Sequence, residues 1–383
     1  MRFLVVCGGS AGHINPAIAI AEEMRKQSPQ SDILFAGAGK ILENRLVPEA
    51  GFDIVNIKMS GVRRGFSLRD ILHNIKTVKN LLIAGYKANK LLKRQKPDAV
   101  IGTGGYGCYP ILKKAAKKGI ASYVLEPNAH PGLAVRMLSS FVDRIFVTYT
   151  GQEKIYKFPE RVTYTGTPLV SKFGQFDRKS VEEQRRILSP DGKPLVISYW
   201  GSIGAVGMNK KILSFIKRNY NEKKFNHIHA TGVGSSVKVM TEELIKMGVA
   251  EVKAPLTDIR EYISDMPLVM RAADLVLARS GASTIAELTA TGKPAVLIPS
   301  PNVTENHQEE NARQLQNTGS AVMLLENDCT GDSLFDTVAT ILNDKECLEK
   351  MTNALKTSSE HEAAAKIVEI ILDDNKKALN RKH

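Results

Sequence analysis

Three glycine-rich stretches of the chain combine close backbone approach with groups that can bind anions. They are Gly8-Gly9-Ser10-Ala11-Gly12-His13, Gly102-Thr103-Gly104-Gly105-Tyr106-Gly107 and Gly201-Ser202-Ile203-Gly204-Ala205. Glycine lets the backbone pass close to a ligand, and the amide groups at a following helix start attract phosphate. His13 adds an imidazole, which exchanges protons near neutral pH. These stretches predict ligand-binding loops, with His13 as either a base or an orienting residue at a helix start.

A fourth stretch, from Ser280 to Leu288, follows a short apolar run. Ser283 and Thr284 are residue types that cap helices, and the first-turn amides beside them suit phosphate. Glu287 can accept two hydrogen bonds from a vicinal diol such as a ribose, although an ordinary helix-start acid is the alternative. The stretch predicts a nucleotide-sugar clamp.

Short apolar runs precede these loops and alternate with helical patterns. The runs are residues 3–7, 33–37, 98–101, 121–125 and 145–147, then 194–198, 226–230, 275–278, 295–298 and 321–324. This alternation predicts two parallel sheets with helices on both faces, whose ligands bind beyond the carboxyl ends of the strands. A polar stretch at 171–191 separates the halves, and an amphipathic pattern from Glu360 predicts a closing helix.

Composition narrows the classes of partner. The chain has 383 residues, enough for two domains, and a formal net charge of +13, which favours an anionic partner. Because no zinc-finger or RNA-binding signature accompanies the charge, nucleic acid is not expected. The four cysteines form no C-x-x-C pair, and no metal site or cofactor is expected. No signal peptide or apolar run of membrane-spanning length is apparent, so we expect a soluble or peripheral protein.

Six motifs in a fixed order resemble those of GT-B glycosyltransferases of family 28, over nearly the full chain. The motifs are Gly8 to Ala17, Gly102 to Pro110, Glu126 to Gly132, Gly166-Thr167-Pro168, Gly201 to Ala205, and Arg279 to Glu287 with Pro299, His307, Gln308, Asn311 and Ala312. The resemblance implies an α/β GT-B fold, with two Rossmann-like, doubly wound parallel-sheet domains facing a cleft. Residues 1–168 would face the acceptor and the membrane, with helix 360–383 packing back on them, and residues 169–359 would bind the UDP-sugar.

The same resemblance implies an activity. The expected reaction is inverting transfer of N-acetylglucosamine from UDP-GlcNAc to undecaprenyl-diphosphate-linked N-acetylmuramoyl peptide (lipid I), which forms lipid II for peptidoglycan, cell shape and cell division. Three alternatives stay open: a related enzyme with another nucleotide sugar or lipid acceptor, a UDP-GlcNAc 2-epimerase, and a non-catalytic UDP-sugar-binding subunit that recruits a partner to the membrane.

Family roles carry over to individual positions. His13 and Glu126 are the candidate bases. UDP-GlcNAc is expected to contact Ser10, Ala11, Gly12, Asn128, Ser202, Ile263, Ala282, Ser283, Thr284, Ile285, Ala286, Glu287, His307 and Gln308. The acceptor diphosphate is expected at Gly9, Gly104, Gly105 and Tyr106.

Several positions depart from the family pattern. Val170 stands where an arginine is usual, and Thr167 stands in the place of an asparagine. Ile203 and Pro127 each replace a glutamine. A charged contact to the donor substrate is therefore missing unless Lys172 substitutes for it. Selectivity for another donor or acceptor would arise at these positions.

A basic and apolar segment predicts attachment to an anionic bilayer. Its basic residues are Arg63, Arg64, Arg69, Lys76, Lys79, Lys87, Lys90, Lys93 and Arg94, and its apolar ones are Phe66, Leu68, Ile71, Leu72, Ile75, Leu81, Leu82 and Ile83. Lys113, Lys114, Lys117 and Lys118 extend the charge. The expected location is the cytoplasmic face of the cell membrane, as a peripheral protein. The alternative is an ordinary pair of core-facing helices with solvated lysines.

Overall fold

The computed structural model describes residues 1–57, 68–169, 176–303, 306–356 and 363–380. The chain divides into two compact units, Met1–Ser171 with Glu360–His383, and Lys172–Ser359.

The first unit is built on a parallel sheet with strand order β3-β2-β1-β4-β5-β6-β7. Its strands are β1 (Arg2–Val6), β2 (Asp32–Gly37), β3 (Asp53–Asn56), β4 (Ala99–Gly102), β5 (Ala121–Glu126), β6 (Arg144–Val147) and β7 (Val162–Tyr164). Its helices are α1 (Ala11–Gln27), α2 (Ile41–Glu49), α3 (Leu68–Gln95), α4 (Cys108–Ala116) and α5 (Leu133–Leu138), with 3-10 turns at Gln152–Ile155 and Pro159–Arg161. Strand order reverses between β1 and β4, which is where ligands bind in sheets of this kind.

Burial explains why these segments form strands and helices. The inner residues of β1 are buried on both faces of the sheet, so the strand is apolar without alternation. On α1, Ile14, Ala17 and Ile18 pack into one core cluster, whereas Ile20 and Met24 pack into another. The helix is therefore apolar over much of its circumference.

The last helix, α14 (Ala363–Asn380), belongs to the first unit. Its residues Ile367, Val368 and Ile371 are fully buried in the cluster that contains Ile20 and Met24 of α1. Arg144 donates to Asp374 from Nε at 2.6 Å and from a terminal nitrogen at 3.0 Å. Both ends of the chain thus build one core.

The second unit repeats the arrangement with strand order β10-β9-β8-β11-β12-β13, also parallel. Its strands are β8 (Leu195–Tyr199), β9 (Asn226–Ala230), β10 (Thr257–Arg260), β11 (Leu275–Ala278), β12 (Ala295–Leu297) and β13 (Ala321–Met323). Its helices are α6 (Arg178–Leu188), α7 (Val206–Glu222), α8 (Val237–Lys246), α9 (Met266–Ala272), α10 (Ala282–Thr291), α11 (His307–Asn317), α12 (Gly331–Asn343) and α13 (Lys345–Lys356). The prediction of doubly wound parallel α/β sheets is confirmed.

Only part of the predicted membrane segment can be placed. Residues 58–67, with Arg63, Arg64 and Phe66, lie outside the described residues, as do the side chains of Leu68 to Lys79 and of Leu81 and Leu82. Further along α3, Ala84, Ala88, Leu91 and Leu92 are buried in the core. Lys87, Lys90, Lys93 and Arg94 are exposed. This part of α3 is a core-facing helix with solvated charges. In the described part of the chain, no helix is long and apolar enough to cross a membrane.

Candidate active site

The loops that follow β1 and β4 meet at the centre of the first sheet. The amide of Thr103 donates to the carbonyl of Val6 at 3.0 Å, and the hydroxyl of Thr103 donates to the carbonyl of His13 at 2.6 Å. A methyl group on Gly8 would stand 3.0 Å from the carbonyl oxygen of Gly104, so a larger residue at Gly8 would force the loops apart. Gly104 and Gly105 have φ of 89° and 78°, where glycine carries no steric cost.

His13 lies in the first turn of α1, with its imidazole against these loops. Its Nδ1 is 2.8 Å from the carbonyl oxygen of Thr103. Because a carbonyl only accepts, the neutral ring carries its proton on Nδ1 and its lone pair on Nε2. The ring also lies against the backbone of Gly104 and Gly105, where a methyl group would stand about 3 Å from it. This arrangement orients the imidazole and assigns the proton-accepting nitrogen.

Glu126, the other candidate base, ends β5 and is buried. One carboxylate oxygen accepts from the amide of Asn128 at 3.0 Å and from its side chain at 2.9 Å, and the other accepts from the amide of Gly132 at 2.9 Å. The carbonyl of Asn128 accepts from Gln152 at 2.8 Å. Since protonation of Glu126 would remove acceptors from these N–H groups, its geometry suits shaping of the loop better than proton transfer.

Hydrogen bonds join the loops at the carboxyl edge of the second sheet into a continuous series. Val233 donates its amide to the carbonyl of Ser202 at 2.9 Å, and Gly232 donates to Glu261 at 3.0 Å. Gly204 has φ of 70°, and a methyl group on it would stand 2.0 Å from the carbonyl oxygen of Thr231. The contact between Gly204 and Thr231, in which only glycine fits, therefore helps to hold the loop that contains Ser202.

Helix α10 begins at Ala282, and three residues separate it from the end of β11. Its N-cap is Gly281, without a side-chain cap hydrogen bond, so the expectation that Ser283 or Thr284 caps the helix is wrong. Ser280 donates its hydroxyl to the carbonyl of Gln308 at 2.7 Å, and Asn311 donates to the carbonyl of Ser280 at 3.0 Å. Gln308 also accepts from the amide of Ser300 through Oε1 at 2.9 Å. These bonds bring the start of α11, with the half-buried His307, to the start of α10. The Ser283 hydroxyl is buried and has no hydrogen-bond partner among the described residues.

Glu287 lies within α10 and is half-buried. Burial raises the pKa of its carboxyl to about 8 from an ordinary value of 4.5. Burial and the nearby Glu287 carboxylate also raise the pKa of Tyr199, so its phenol stays protonated. The alternative interpretation of Glu287 as a helix-start acid is wrong, because Glu287 lies in the second turn of α10 and the first turn holds no acidic residue. A poorly solvated carboxyl at this position is suited to hydrogen bonding with a ligand hydroxyl.

The structure places the remaining predicted residues as follows. Ser10 precedes α1, and Ala11 and Gly12 open it, whereas Tyr106 lies half-buried in the loop after β4. Thr284, Ile285 and Ala286 are buried within α10, and the side chain of Ile263 is buried after β10. Of the departures, Ile203 is 73% exposed, and Pro127 and Thr167 are buried. Val170 and Lys172 lie outside the described residues. These site assignments stay predictions.

Sequence reasoning missed the role of Arg279. It is buried, pairs with Glu326 at 2.6 Å and donates to the carbonyls of Ile298 and Pro299 at 3.0 and 3.1 Å. It thereby ties together the loops after β11, β12 and β13. The sequence offered one indication of this role: Arg279 follows an apolar strand, and a buried charge there must be paired with an opposite charge or hydrogen-bonded.

Within the described residues, no group of three or more His, Cys, Asp or Glu side chains could hold a metal ion.

Comparison with known proteins places the chain in a family. The model of the glycosyltransferase family 28 N-terminal domain matches residues 3–147, and that of the C-terminal domain matches residues 197–367. The chain belongs to glycosyltransferase family 28. Members of this family are glycosyltransferases, so the chain is an enzyme of that class.

Among family 28 relatives, a protein of Acetivibrio thermocellus is 40% identical over 97% of this chain and 98% of its own length. A protein of Ruminiclostridium cellulolyticum is 37% identical over 97% and 99%. Both are named UDP-N-acetylglucosamine–N-acetylmuramyl-(pentapeptide) pyrophosphoryl-undecaprenol N-acetylglucosamine transferase.

Solved structures agree on the fold. MurG of Acinetobacter baumannii has a TM-score of 0.74 at 23% identity, covering 97% of this chain and 99% of its own. A UDP-N-acetylglucosamine 2-epimerase has a TM-score of 0.64 at 15% identity, covering 98% and 96%. Since the fold accommodates both activities, it does not choose between them.

Proposed function

We propose that this enzyme transfers N-acetylglucosamine from UDP-GlcNAc to undecaprenyl-diphosphate-linked N-acetylmuramoyl peptide, forming lipid II. The observation that carries the proposal is the 40% identity, over 97% of the chain, to a relative that bears the name of this transferase. Residues of the candidate site can be assigned to the acceptor, the donor and the leaving group of this reaction.

On the acceptor side, we assign the base to His13. In the proposed step, the acceptor hydroxyl oxygen attacks the anomeric carbon of the sugar, the bond to the UDP oxygen breaks, and the hydroxyl proton passes to Nε2 of His13. The contact between Nδ1 and Thr103 at 2.8 Å supports this role, because it orients the ring and stabilises the imidazolium that forms.

On the donor side, α10 binds the nucleotide. The Glu287 carboxyl accepts hydrogen bonds from the ribose hydroxyls, and the first-turn amides with the Ser283 hydroxyl bind the diphosphate. The backbone amides of the Ser202 loop also bind the diphosphate. The buried Ser283 hydroxyl, which has no partner among the described residues, supports the role because a phosphate oxygen would accept a hydrogen bond from it.

The charge that develops on UDP is stabilised in this proposal by fixed amides and the α10 dipole, without a resident metal ion. Turnover should therefore persist in EDTA. Loss of activity in EDTA that added Mg²⁺ restores would assign leaving-group stabilisation to a metal ion instead.

We also propose that the enzyme works at the cytoplasmic face of the membrane. On α5, Leu133 and Met137 are each 44% exposed, and Phe141, which follows the helix, is 36% exposed. The Lys113 ammonium lies 5.1 Å from the ring centre of Phe141. Exposed apolar groups beside a cation suit an anionic bilayer surface. Phe141→Ser should reduce sedimentation with anionic vesicles, and undiminished sedimentation would exclude this surface.

The test of the reaction is turnover of radiolabelled UDP-GlcNAc with a short-chain lipid I analogue. UDP-glucose, UDP-GalNAc and an acceptor-free sample are run beside it. Product only with UDP-GlcNAc and acceptor is expected. Product with another nucleotide sugar would assign a different donor, and isomerised UDP-GlcNAc without acceptor would assign epimerase activity. UDP binding without any product would favour the non-catalytic subunit.

A further inference from the structure

A lysine outside the glycine stretches lies against the turn after β1. A methyl group on Gly9 would stand 2.8 Å from Cγ of Lys40 and 3.5 Å from its Cβ. Gly9 does not have a positive φ, so backbone strain does not explain glycine here. The missing side chain of Gly9 instead makes room for the aliphatic stem of Lys40.

The backbone of Lys40 is anchored by a buried carboxylate. Oε2 of Glu43 accepts from the amides of Gly39 at 2.8 Å and of Lys40 at 3.0 Å, and Glu43 is fully buried. Helix α2 begins at the next residue, Ile41. The start of α2 and these two hydrogen bonds therefore fix the backbone from which the Lys40 side chain extends.

The other oxygen of the same carboxylate gives an independent reason for a cation at this turn. Oε1 of Glu43 is buried without a hydrogen-bond partner in the described part of the chain, and it lies 3.6 Å from where a methyl group on Gly9 would be. A negative charge directly behind the turn weakens the attraction of its amides for an anion. A cation in front of the turn would offset the charge of Glu43 and so favour an anion there.

Lys40 is placed to supply that charge. The loops after the adjacent strands β2, β1 and β4 are residues 38–40, 7–10 and 103–107, and Lys40 is the one cationic residue among them. Lys40 is exposed. The turn it touches, at Gly9, is the one at which the acceptor diphosphate is predicted.

We propose that the ammonium of Lys40 binds the diphosphate of the lipid acceptor at the Gly9 turn. An ammonium binds phosphate as a compact charge with three donors, and the glycine loops, which offer backbone amides, contain no such charge of their own. This inference rests on the proposed function, because it takes the acceptor to be a lipid diphosphate. It makes Lys40 a determinant of acceptor affinity and leaves the chemical step to other residues.

The experiment compares Lys40→Gln, Lys40→Arg and the wild-type enzyme with a water-soluble short-chain acceptor in the absence of vesicles, so that attraction to a membrane surface does not enter. Lys40→Gln should raise the KM for the acceptor roughly tenfold or more, as expected for one lost charge-assisted hydrogen bond. The kcat and the KM for UDP-GlcNAc should change less than about twofold. Lys40→Arg should restore most of the acceptor affinity. Added salt screens charge, so it should reduce the difference in acceptor KM between Lys40→Gln and wild type.

Lys26→Gln is the matched control, since Lys26 is an exposed lysine near the end of α1, away from these loops. It should behave as wild type. An unchanged acceptor KM in Lys40→Gln would overturn the inference, as would a loss confined to kcat or an equal rise in both KM values.

Direct binding separates this inference from the proposed function. Calorimetry with a short-chain prenyl diphosphate and the corresponding uncharged prenol measures the role of Lys40 without turnover. The diphosphate should bind Lys40→Gln roughly tenfold more weakly than wild type, with no difference for the prenol. If wild type forms no product but this difference appears, the proposed function fails and the diphosphate contact stands. If product forms but the difference is missing, only the Lys40 inference fails.

Discussion

The centres of the two sheets have the same strand order but hold different chemical groups. In the first unit, the loops after β1 and β4 enclose the His13 imidazole, whose Nδ1 faces the carbonyl of Thr103 at 2.8 Å. In the second unit, the loops after β8 and β9 are packed backbone to backbone at Gly204 and Thr231, and the adjacent α10 carries the half-buried Glu287, whose carboxyl has a raised pKa. The first centre can accept a proton, and the second can bind hydroxyls and phosphate.

Under the proposed function, this difference lets one topology serve two roles. Parallel strands bring loops to the same edge in both units, and the topology requires nothing more of those loops. Whether the loops at this edge serve proton transfer or ligand binding depends on the side chains that lie between them. Two of the following four predictions test this division, and the other two test the packing that holds the second unit together.

The largest effect is expected for His13→Ala. Removing the general base should lower kcat by about 10²- to 10⁴-fold while UDP affinity stays within about twofold, because UDP is assigned to the second unit. Steady-state kinetics and calorimetry with UDP measure the two quantities. Glu126→Gln is the comparison: if it abolishes turnover in a folded protein while His13→Ala does not, the base is Glu126.

Gly204→Ala should destabilise the second unit by about 3 kcal/mol or more, since the new methyl group meets the carbonyl of Thr231 in a backbone region that disfavours side chains. Gly201→Ala is a matched control, because Gly201 has φ of 86° but nothing within 4 Å of the added carbon. Its cost should be limited to backbone strain. Trp200, the single tryptophan of the chain, reports unfolding of this unit by fluorescence. Equal losses for the two variants would show that the contact at Gly204 does not matter.

Glu287→Gln should lower UDP affinity roughly tenfold and raise stability at high pH. The folded-state pKa of about 8 lies above the ordinary 4.5, so the folded protein holds an extra proton between these values. The stability that Glu287 contributes is therefore lost as pH rises from 4.5 to 8, and glutamine avoids the loss. Urea unfolding at pH 5 and pH 8 measures the difference, which should be larger at pH 8. A difference independent of pH would contradict burial of the carboxyl.

The smallest effect is acid lability of the second unit near neutral pH. The Ser198 hydroxyl lies between Nε2 of His227 at 2.8 Å and Nδ1 of His229 at 2.7 Å, with all three residues buried. Burial lowers the pKa of His229 to about 3 and that of His227 below its ordinary 6.5.

The unfolded chain therefore binds more protons than the folded one below pH 6.5, and stability falls as pH decreases. Between pH 7.5 and 6.0 the loss should be below about 1 kcal/mol per histidine, as measured by Trp200 fluorescence in urea. Replacing both histidines with glutamine should flatten this slope. An unchanged slope would assign the acid lability to other groups.

Strand prediction succeeded where apolar residues run continuously, including at the edge strand β13, and failed at the other three edges of the two sheets. The central strands β1, β4, β8 and β11 were found from their apolar residues alone. The strands β3, β7 and β10, at sheet edges, were missed. Their sequences, Asp53–Asn56, Val162–Tyr164 and Thr257–Arg260, are short and mix polar with apolar residues, because an edge strand is covered less completely than a central one.

The candidate site could be predicted as a set of loops but not as a set of contacts. Glycines after apolar strands predicted loops with close backbone contacts, and the structure has such contacts at Gly8 and Gly204, where loops of the protein pack against each other. Nothing local indicated that Lys40 lies on Gly9 or that Arg279 joins three loops. These contacts depend on neighbouring strands that are distant along the chain.

By itself, the sequence determined the alternation of strands and helices, the glycine loops and the likeness to family 28, since all three are properties of short stretches and their order. The tertiary structure alone decided which nitrogen of His13 carries the proton, because the carbonyl of Thr103 that accepts it is 90 residues away along the chain. It also decided that Glu287 is desolvated and that α14 completes the first core. Burial and hydrogen-bond partners are set by residues brought together in folding, and a local sequence pattern contains neither.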